Sequence, residues 1–240
     1  MAAPKISLVI PVYNEEENLP ELYGELKGVL ENLSVSFEII FVDDGSQDRS
    51  GAILREFALQ DGRVKIIFFQ KNAGQSAAFA AGFRAAVGEI VVTMDADLQN
   101  DPHDIPLLIE KITFYDVVCG WRANRQDKVI RKISSRIANK VRNRLSDEQI
   151  RDTGCSLKAF RRECLQSFYY FKGMHRFFPT LIKMEGCSVT EVKVNHRPRR
   201  FGEAKYGIGN RAFRGLIDLF AVRWMKKRRL SYEVKEIVNG

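Results

Sequence analysis

The sequence has no long apolar run and few cysteines or histidines. No uninterrupted hydrophobic stretch approaches the roughly 20 residues that span a bilayer. Because the first residues lead directly into a predicted strand, we expect no signal peptide, and we expect membrane contact only at the surface. The 3 histidines are scattered, and the 4 cysteines lack the paired spacing of a zinc site. We predict reduced, packed thiols of a cytoplasmic protein at Cys119, Cys155, Cys164 and Cys187.

Two common nucleotide-binding motifs are also absent. There is no Gly-x-Gly-x-x-Gly and no P-loop lysine motif, which disfavours dinucleotide binding and ATP hydrolysis. The 240 residues are 45% hydrophobic and 28% charged, and they contain no repeat or low-complexity tract. These values are typical of a folded protein with one large domain, or one domain plus a small appendage.

Charge is divided unevenly along the chain. Residues 1–118 contain 9 Lys and Arg against 19 Asp and Glu, a net −10, whereas residues 119–240 contain 29 against 11, a net +18. A basic half of this kind favours an anionic partner, which leaves nucleic acid, membrane lipid and a phosphorylated substrate as candidates.

Apolar runs alternate with helical patterns in the first half of the chain. We predict strands over residues 6–10, 37–42, 64–69 and 89–94, with helices between them. Asn14 and Ser46 are candidate caps for the first two helices. This order predicts an α/β fold with a mostly parallel sheet and helices on both faces.

Polar clusters follow each of the four predicted strands. They are the segments 11–15, 43–46, 72–75 and 95–99. Each alone is explained by a turn or a helix cap, but ligands of parallel sheets bind beyond the carboxyl ends of the strands. Four clusters at one edge therefore favour a shared ligand.

The stretch TMDADLQNDP, residues 93–102, carries the most specific of these clusters. Asp95, Asp97 and Gln99 alternate after an apolar strand, so an extended backbone would direct all three oxygen-bearing side chains to one side. Two carboxylates that close together favour a hard divalent cation, Mg²⁺ or Mn²⁺. A simple turn before a helix at Pro102 is the alternative.

Several motifs, in collinear order, resemble known enzymes. IPVYNEEENLP, FVDDGSQDRSG, NAGQSAAFAAGF and MDADLQNDP are similar to the inverting family 2 glycosyltransferases, which have a GT-A fold. VCGWR, VIRKISSR, RDTGCSLKAFRR and HRPRRFGEAKYG resemble the dolichol-phosphate mannose synthase-like branch. The resemblance implies transfer of a hexose from GDP-mannose or a UDP-sugar to dolichyl or undecaprenyl phosphate, in the synthesis of a cell-envelope glycan or glycolipid.

The resemblance also implies site residues. The nucleotide would be contacted by Pro11, Tyr13, Glu15, Asp43 or Asp44, Gln75 and Asp95. The cation would be held by Asp95, Asp97 and Gln99, with Asp97 catalytic. The acceptor phosphate would be bound by Arg122, Arg131, Ser135, Arg199, Arg200 and Lys205, of which Arg122 and Arg131 are the expected catalytic pair. In the segment expected to cover the site, the family has one basic residue that contacts phosphate. Its counterpart here is Arg197, Arg199 or Arg200.

A phosphate acceptor needs little help from a base. The second pKa of a monoalkyl phosphate is about 6, so it is already an anionic nucleophile at neutral pH. Arginine can bind this phosphate through two parallel N–H groups. We expect an in-line displacement with inversion at the anomeric carbon. Asp152 is the alternative base, although Asp152-Thr153-Gly154 is equally consistent with a polar turn.

Two basic amphipathic helices are predicted in the second half. One has apolar residues at Ile133, Ile137, Val141 and Leu145, a stripe that is equally consistent with packing on the core and with contact with a membrane. The other covers about residues 208–225 and ends in four cations; its apolar stripe is Phe213, Leu216, Phe220 and Trp224. We predict a catalytic domain over 1–205, divided into 1–118 and 119–205, and a membrane-interface tail over 206–240.

The expected location is the cytoplasmic face of a membrane, as a peripheral protein on an anionic surface. The expected partners are a nucleotide sugar and a polyprenyl phosphate, without nucleic acid. A homo-oligomer and a separate membrane subunit are both compatible with the sequence. The rival functions are nucleic-acid binding, nucleotidyl transfer and glycosylation of a sugar hydroxyl, and the type of sugar is left open.

Overall fold

The computed structural model describes residues 5–123, 150–166, 169–201, 208–229 and 235–236, without the side chains of residues 208–214. The strands are β1 (Ile6–Val12), β2 (Phe37–Asp43), β3 (Val64–Phe68), β4 (Ile90–Thr93), β5 (Val117–Arg122), β6 (Lys158–Arg161) and β7 (Val189–Val194). The helices are α1 (Leu19–Asn32), α2 (Ser50–Gln60), α3 (Gln75–Ala85), α4 (Ile105–Lys111), α5 (Phe178–Met184) and α6 (Ile208–Arg228).

The strands form one mixed sheet in the order β3-β2-β1-β4-β6-β5-β7. The first four strands are parallel, as the sequence predicted, and β7 is parallel to β5. Strand β6 is antiparallel to both β4 and β5, its neighbours in the sheet. The carboxyl ends of β1 to β4 therefore share one edge, and this edge carries the predicted polar clusters.

Helices cover both faces of the sheet, which explains the continuous apolar runs of the central strands. In β1, Ile6, Leu8 and Ile10 belong to one core with α1, α2 and α4, whereas Val9 belongs to the other core with α3, α5 and α6. The spacing of the buried residues in α1, which include Leu19, Leu22, Leu26 and Leu30, places them on one helical face.

The predicted helix caps are wrong. Helix α1 begins at Leu19 and α2 at Ser50, several residues after the candidate caps. Instead, Asn14 has a φ of +53°, its backbone N–H donates to Ser46 Oγ at 2.9 Å, and its Oδ1 accepts from Gln47 N at 2.8 Å. The two side chains connect the loops after β1 and β2, because those parallel strands end side by side.

The prediction of four reduced thiols is wrong for two cysteines. Cys164 and Cys187 form a disulfide, whereas Cys119 and Cys155 are buried free thiols. The pairing follows from the sheet: Val117 at the start of β5 lies opposite Phe160 near the end of β6 and opposite Val189 at the start of β7. Residues that follow β6 and precede β7 therefore meet at one edge, which spacing in the sequence does not reveal.

The predicted boundary between residues 205 and 206, and the predicted helix over residues 133–145, lie outside the described residues. Helix α6, which follows that boundary, packs on the second core through Leu219 and Val222. Among the described residues, no helix combines the length and apolar character needed to cross a membrane. The catalytic-domain and tail division remains a prediction.

Two helix glycines predict opposite effects on stability. A Cβ added at Gly82 in α3 would overlap the Val9 side chain of β1, whereas a Cβ at Gly24 in α1 meets nothing within 4 Å. We expect Gly82→Ala to lower the free energy of unfolding by about 1–3 kcal/mol through overpacking. Gly24→Ala should raise it by about 0.5–1 kcal/mol. Urea denaturation of both variants checks this, and equal effects would contradict the packing of α3 on β1.

Candidate active site

The loop after β4 brings the three predicted cation ligands together by a bend. The backbone is not extended through residues 96–98, and Leu98, which is buried, has a φ of +58°. Simple strand alternation therefore fails beyond Asp95. The bend still gathers the groups, because the Gln99 N–H donates to Asp97 Oδ1 at 3.2 Å and Arg199 contacts both residues.

Asp95 is held from two other elements of the fold. Gln75, the first residue of α3, donates Nε2–H to Asp95 Oδ1 at 2.7 Å. From the β6 side, Ser156 and the nearby positive charge of Lys158 both oppose the rise in the pKa of Asp95, and the Ser156 hydroxyl donates to Asn100 Oδ1 at 2.7 Å. The Lys158 side chain is only 2% exposed, and its Nζ donates to the backbone carbonyls of Thr153 and Cys155. Sequence reasoning missed Lys158 and Ser156, and the one available signal was a lysine inside the apolar strand LKAF.

Arg199 supplies the positive charge next to Asp97. Its Nη2 donates to Asp97 Oδ2 at 2.7 Å and approaches Gln99 Oε1 at 3.4 Å. The two residues are 102 positions apart in the chain. A guanidinium here shows that the carboxylate and amide oxygens converge on one point that favours a cation.

The two carboxylates destabilise each other's charged forms. Burial raises the pKa of Asp97, the charge of Asp95 raises it further, and Arg199 lowers it. Burial also raises the pKa of Asp95, against the opposing effects of Ser156, Lys158 and Arg122. Burial and the neighbouring like charge together explain why the pKa is raised, because both disfavour the ionised form of a carboxyl group.

This donor set fits a divalent cation. Two carboxylates and an amide offer the hard oxygen ligands that Mg²⁺ and Mn²⁺ prefer, and Arg199 already shows that positive charge is stabilised there. Asp95, Asp97 and Gln99 would hold the ion, as the sequence predicted. These assignments remain predictions.

A cavity of about 420 Å³ lies at the same edge of the sheet, and its lining includes Tyr13 and Asp43. The Arg55 guanidinium stacks over the Phe68 ring at 4.2 Å and both line this cavity. Asp43 Oδ1 accepts the Ser46 N–H at 2.9 Å. An aromatic ring beside a carboxylate suits a nucleotide base with N–H donors, so the cavity is consistent with the predicted contacts of Tyr13 and Asp43.

Asp44 has a different environment from Asp43. Its carboxylate accepts from the backbone N–H groups of Ala73 at 2.6 Å and Gly74 at 2.9 and 3.1 Å, and from Asn72 Nδ2 at 2.9 Å. Burial raises the pKa of Asp44, while these loop N–H groups lower it. The carboxylate therefore fixes the loop that precedes α3 and Gln75. Of the two alternatives, Asp43 is the one that lines the cavity.

Five predicted nucleotide contacts lie outside the lining of that cavity: Asp44, Gln75 and Asp95, described above, and Pro11 and Glu15. Pro11 belongs to β1, where it pairs with Val42. Glu15 Oε2 accepts from Asn18 Nδ2 at 2.6 Å, and the Glu15 N–H donates to Ser50 Oγ at 2.8 Å. Both residues lie close in sequence to Tyr13, and their contacts with a nucleotide remain predictions.

Arg122, at the end of β5, forms a bidentate ion pair with Asp152. Arg122 Nε donates to Asp152 Oδ2 at 2.7 Å and Nη2 donates to Oδ1 at 3.0 Å. Glu191 accepts the backbone N–H groups of Arg151 and Asp152 and fixes this turn. Both Asp152 oxygens are engaged by a cation, which disfavours Asp152 as a base.

The three arginines of segment 197–200 have distinct partners. Arg197 donates to Glu25 at 2.8 and 2.9 Å and to Asp101 at 2.7 Å, and Arg200 pairs with Glu21. Arg199 is thus the one that contacts the predicted cation ligands. Glu25, Asp101 and His103 also offer ligand atoms within 4.8 Å of one another, but the Arg197 guanidinium binds both carboxylates, so we interpret this group as an ion-pair cluster.

Three predicted acceptor residues, Arg131, Ser135 and Lys205, lie outside the described residues, and their roles remain predictions. Arg122, Arg199 and Arg200 are described, but the first two lie near the acidic loop and Arg200 lies against α1. The structure therefore brings Arg122 and Arg199, but not Arg200, close to Asp95 and Asp97.

Comparison with known protein families shows the family of this chain. Residues 7–168 match the model of glycosyl transferase family 2. The chain belongs to glycosyl transferase family 2. This matched region contains the acidic loop, the Tyr13 and Asp43 cavity and the Arg122–Asp152 pair. Membership favours the glycosyltransferase interpretation over nucleic-acid binding and nucleotidyl transfer.

Relatives of this family 2 chain include proteins named undecaprenyl-phosphate 4-deoxy-4-formamido-L-arabinose transferase. The one from Pseudomonas fluorescens (strain SBW25) is 41% identical over 203 residues, 84% of this chain and 60% of that protein. The one from Sodalis glossinidius (strain morsitans) is 40% identical over 210 residues, 87% of this chain and 64% of that protein. The chain thus spans about three fifths of the length of these relatives.

Solved structures confirm the GT-A fold. Glucosyl-3-phosphoglycerate synthase from Mycobacterium tuberculosis, in complex with Mn²⁺, UDP and phosphoglyceric acid, superimposes with a TM-score of 0.69. It is 18% identical, and the match covers 95% of this chain and 80% of that one. S. aureus TarS 1–349 with UDP-GlcNAc gives a TM-score of 0.64 at 18% identity, over 92% and 66% of the two chains.

Removal of Arg199 should strengthen cation binding. The Arg199 guanidinium contacts the oxygens that would hold the ion, and like charges compete for them. We expect Arg199→Ala to bind Mn²⁺ more tightly than the unmodified protein in an isothermal titration without nucleotide. Arg200→Ala is the matched control, since Arg200 pairs with Glu21. Weaker or unchanged binding by Arg199→Ala would contradict this location of the cation.

Proposed function

We propose that this chain is an inverting glycosyltransferase that transfers a sugar from a nucleotide sugar to a polyprenyl phosphate. The observation that carries the proposal is the convergence of Asp95, Asp97 and Gln99 beside the cavity lined by Tyr13 and Asp43. The names of the two relatives support undecaprenyl phosphate as the acceptor and 4-deoxy-4-formamido-L-arabinose as a candidate sugar.

The proposed reaction is a single displacement. An oxygen of the acceptor phosphate attacks the anomeric carbon, the bond from that carbon to the nucleoside diphosphate breaks, and the bonding electrons leave on the diphosphate oxygen. A bound divalent cation supplies Lewis-acid stabilisation to such a leaving group. Asp95, Asp97 and Gln99 hold the ion, and Mg²⁺ and Mn²⁺ are both candidates.

Positive side chains solve the problem of two anions in one cleft. The acceptor needs no base, because its phosphate is ionised at neutral pH. This agrees with the geometry of Asp152, whose two oxygens are engaged by Arg122. Arg122 is in turn fixed in orientation by that pair, so it can present its remaining N–H groups to the acceptor at little cost in conformational entropy. Arg199 contacts Asp97 and Gln99 of the acidic loop and would join Arg122 when the cation is bound.

The reaction is tested by measuring products from a panel of UDP- and GDP-sugars, including the formamido-arabinose donor, with undecaprenyl phosphate. We expect release of nucleoside diphosphate that depends on the lipid and on Mn²⁺ or Mg²⁺. Asp97→Asn should reduce transfer on the order of 100-fold by weakening charge stabilisation.

Asp116→Asn is the control for that variant. This variant makes the same carboxylate-to-amide change at a residue outside the site. Asp116 precedes β5 and hydrogen-bonds Ser188, at the end of the strand opposite Arg122. Release of pyrophosphate, or transfer to a sugar hydroxyl with no need for the lipid phosphate, would overturn the proposal.

We also propose that α6 binds an anionic membrane surface from the cytoplasmic side. The buried face of α6 contains Leu219 and Val222, whereas Leu216, Ile217, Phe220 and Trp224 are exposed, Phe220 by 56% and Trp224 by 62%. Cations follow at Lys226, Lys227, Arg228 and Arg229. An exposed apolar face followed by cations suits a bilayer interface, with about 1 kcal/mol per cation near anionic lipid. The side chains of Arg211, Phe213 and Arg214 lie outside the described part of the helix.

Vesicle flotation tests this membrane contact. The protein should float with vesicles of phosphatidylcholine and phosphatidylglycerol, less with phosphatidylcholine alone, and less at high salt. Phe220→Ser with Trp224→Ser should abolish flotation. Leu59→Ser is the control, because Leu59 is an exposed apolar residue on α2 and is not part of that face. A protein that stays at the bottom with anionic vesicles would count against the proposal.

A further inference from the structure

A groove of about 1270 Å³ separates α3 from residues 170–176 and α6. Ala77, Ala80, Ala81 and Arg84 of α3 line it, at the i, i+3, i+4 and i+7 spacing of one helical face. Three of these four side chains end at Cβ, so the groove extends to the helix backbone. Tyr170 and Phe171 form part of the opposite wall.

The groove connects two parts of the molecule that the proposed function uses. At one end its lining includes Gln75, which donates to Asp95. Its lining also includes Ile217, which is 54% exposed and belongs to the apolar face of α6. A long amphiphile can therefore extend from the membrane-facing surface of α6 toward the acidic loop.

The wall opposite α3 is anchored to α3 itself. The Gly173 N–H donates to Ser76 Oγ at 2.9 Å, and Ser76 Oγ hydrogen-bonds His175 Nδ1 at 2.8 Å. Ser76 directly follows Gln75 at the start of the helix. The groove is consequently fixed relative to the residue that contacts Asp95, as expected of a largely pre-formed site.

The charge of the lining favours an anionic amphiphile. Among the described residues of the lining, four are cations, Lys71, Arg84, Lys172 and Arg176, and one is a carboxylate, Asp218, which lies 3.8 Å from Arg176. The Arg84 guanidinium stacks over the Tyr170 ring at 5.0 Å. Alanine and aromatic surface beside a net positive charge suits an apolar chain that ends in a phosphate.

We propose that this groove binds the isoprenoid chain of the polyprenyl phosphate acceptor, over the units nearest the phosphate. This inference rests on the proposed function, because it assumes a lipid-phosphate acceptor. The volume of about 1270 Å³ is somewhat above the range of about 300–1,000 Å³ for sites of drug-sized ligands, so the groove takes only part of a long chain. The remaining units would stay in the membrane beside α6.

Enlarging one alanine tests the groove. Ala77→Phe should raise the KM for undecaprenyl phosphate about tenfold or more, equivalent to about 1.4 kcal/mol. The affinity for nucleoside diphosphate with Mn²⁺, measured by isothermal titration, should not change. Val87→Phe is the control: it adds the same ring at an exposed position after α3 that is not part of the lining, and it should retain the original KM.

The outcomes separate the groove from the reaction. If the unmodified protein transfers no sugar to any polyprenyl phosphate, the proposed function fails. If it does transfer, and Ala77→Phe keeps the original lipid KM, the groove proposal is overturned. Loss of nucleotide affinity in a folded Ala77→Phe variant would assign the groove to the donor instead and would also overturn it.

A second measurement does not depend on catalysis or on a variant. A farnesyl phosphate with a diazirine on its second isoprene unit is photolysed with the unmodified protein and Mn²⁺, and adducts are located by mass spectrometry. We expect adducts within α3 or residues 170–176, suppressed by excess undecaprenyl phosphate. Adducts confined to other segments, or insensitive to that competitor, would overturn the proposal.

Discussion

The repulsion between Asp95 and Asp97 is the constraint on which the rest of this site depends. Two partly buried carboxylates share one bend after β4, and each disfavours ionisation of the other. Groups from different elements offset this: Gln75 from α3, Lys158 from β6, Arg122 from β5 and Arg199 from the segment after β7. The fold thus concentrates donors and cations around one acidic loop, which is what a cation and an anionic leaving group require.

The uneven charge along the chain has two structural explanations. Part of the basic second half pairs with the acidic first half, since Arg197 and Arg200 bind Glu25 and Glu21 of α1. These ion pairs hold the segment that carries Arg199 across the sheet edge. Cations on α6 have a different environment, beside exposed apolar residues. The net charge of the second half therefore combines attachment to the protein's own acidic surface with a surface suited to anionic lipid.

Helix α6 links stability and proposed function because it has two apolar faces. Leu219 and Val222 pack on the core shared with α3, and Phe220 and Trp224 face outward. The groove beside α3 opens near the same helix. A membrane-bound acceptor would then meet a surface, a groove and the acidic loop in continuous order. Such positioning supplies much of the rate in reactions whose nucleophile needs no activation.

The sequence by itself determined the class of fold, the four parallel strands and the polar residues at their carboxyl ends, because hydrophobic periodicity and turn chemistry are local. Only the tertiary structure decided which arginine meets Asp97, that Lys158 lies beneath Asp95, and that Cys164 pairs with Cys187. It also reassigned Asn14 and Ser46 from helix caps to a link between loops. Each of these contacts joins residues that are distant in the chain. The residues meet because of the order and direction of the strands, in particular the antiparallel β6. No local sequence pattern encodes that order.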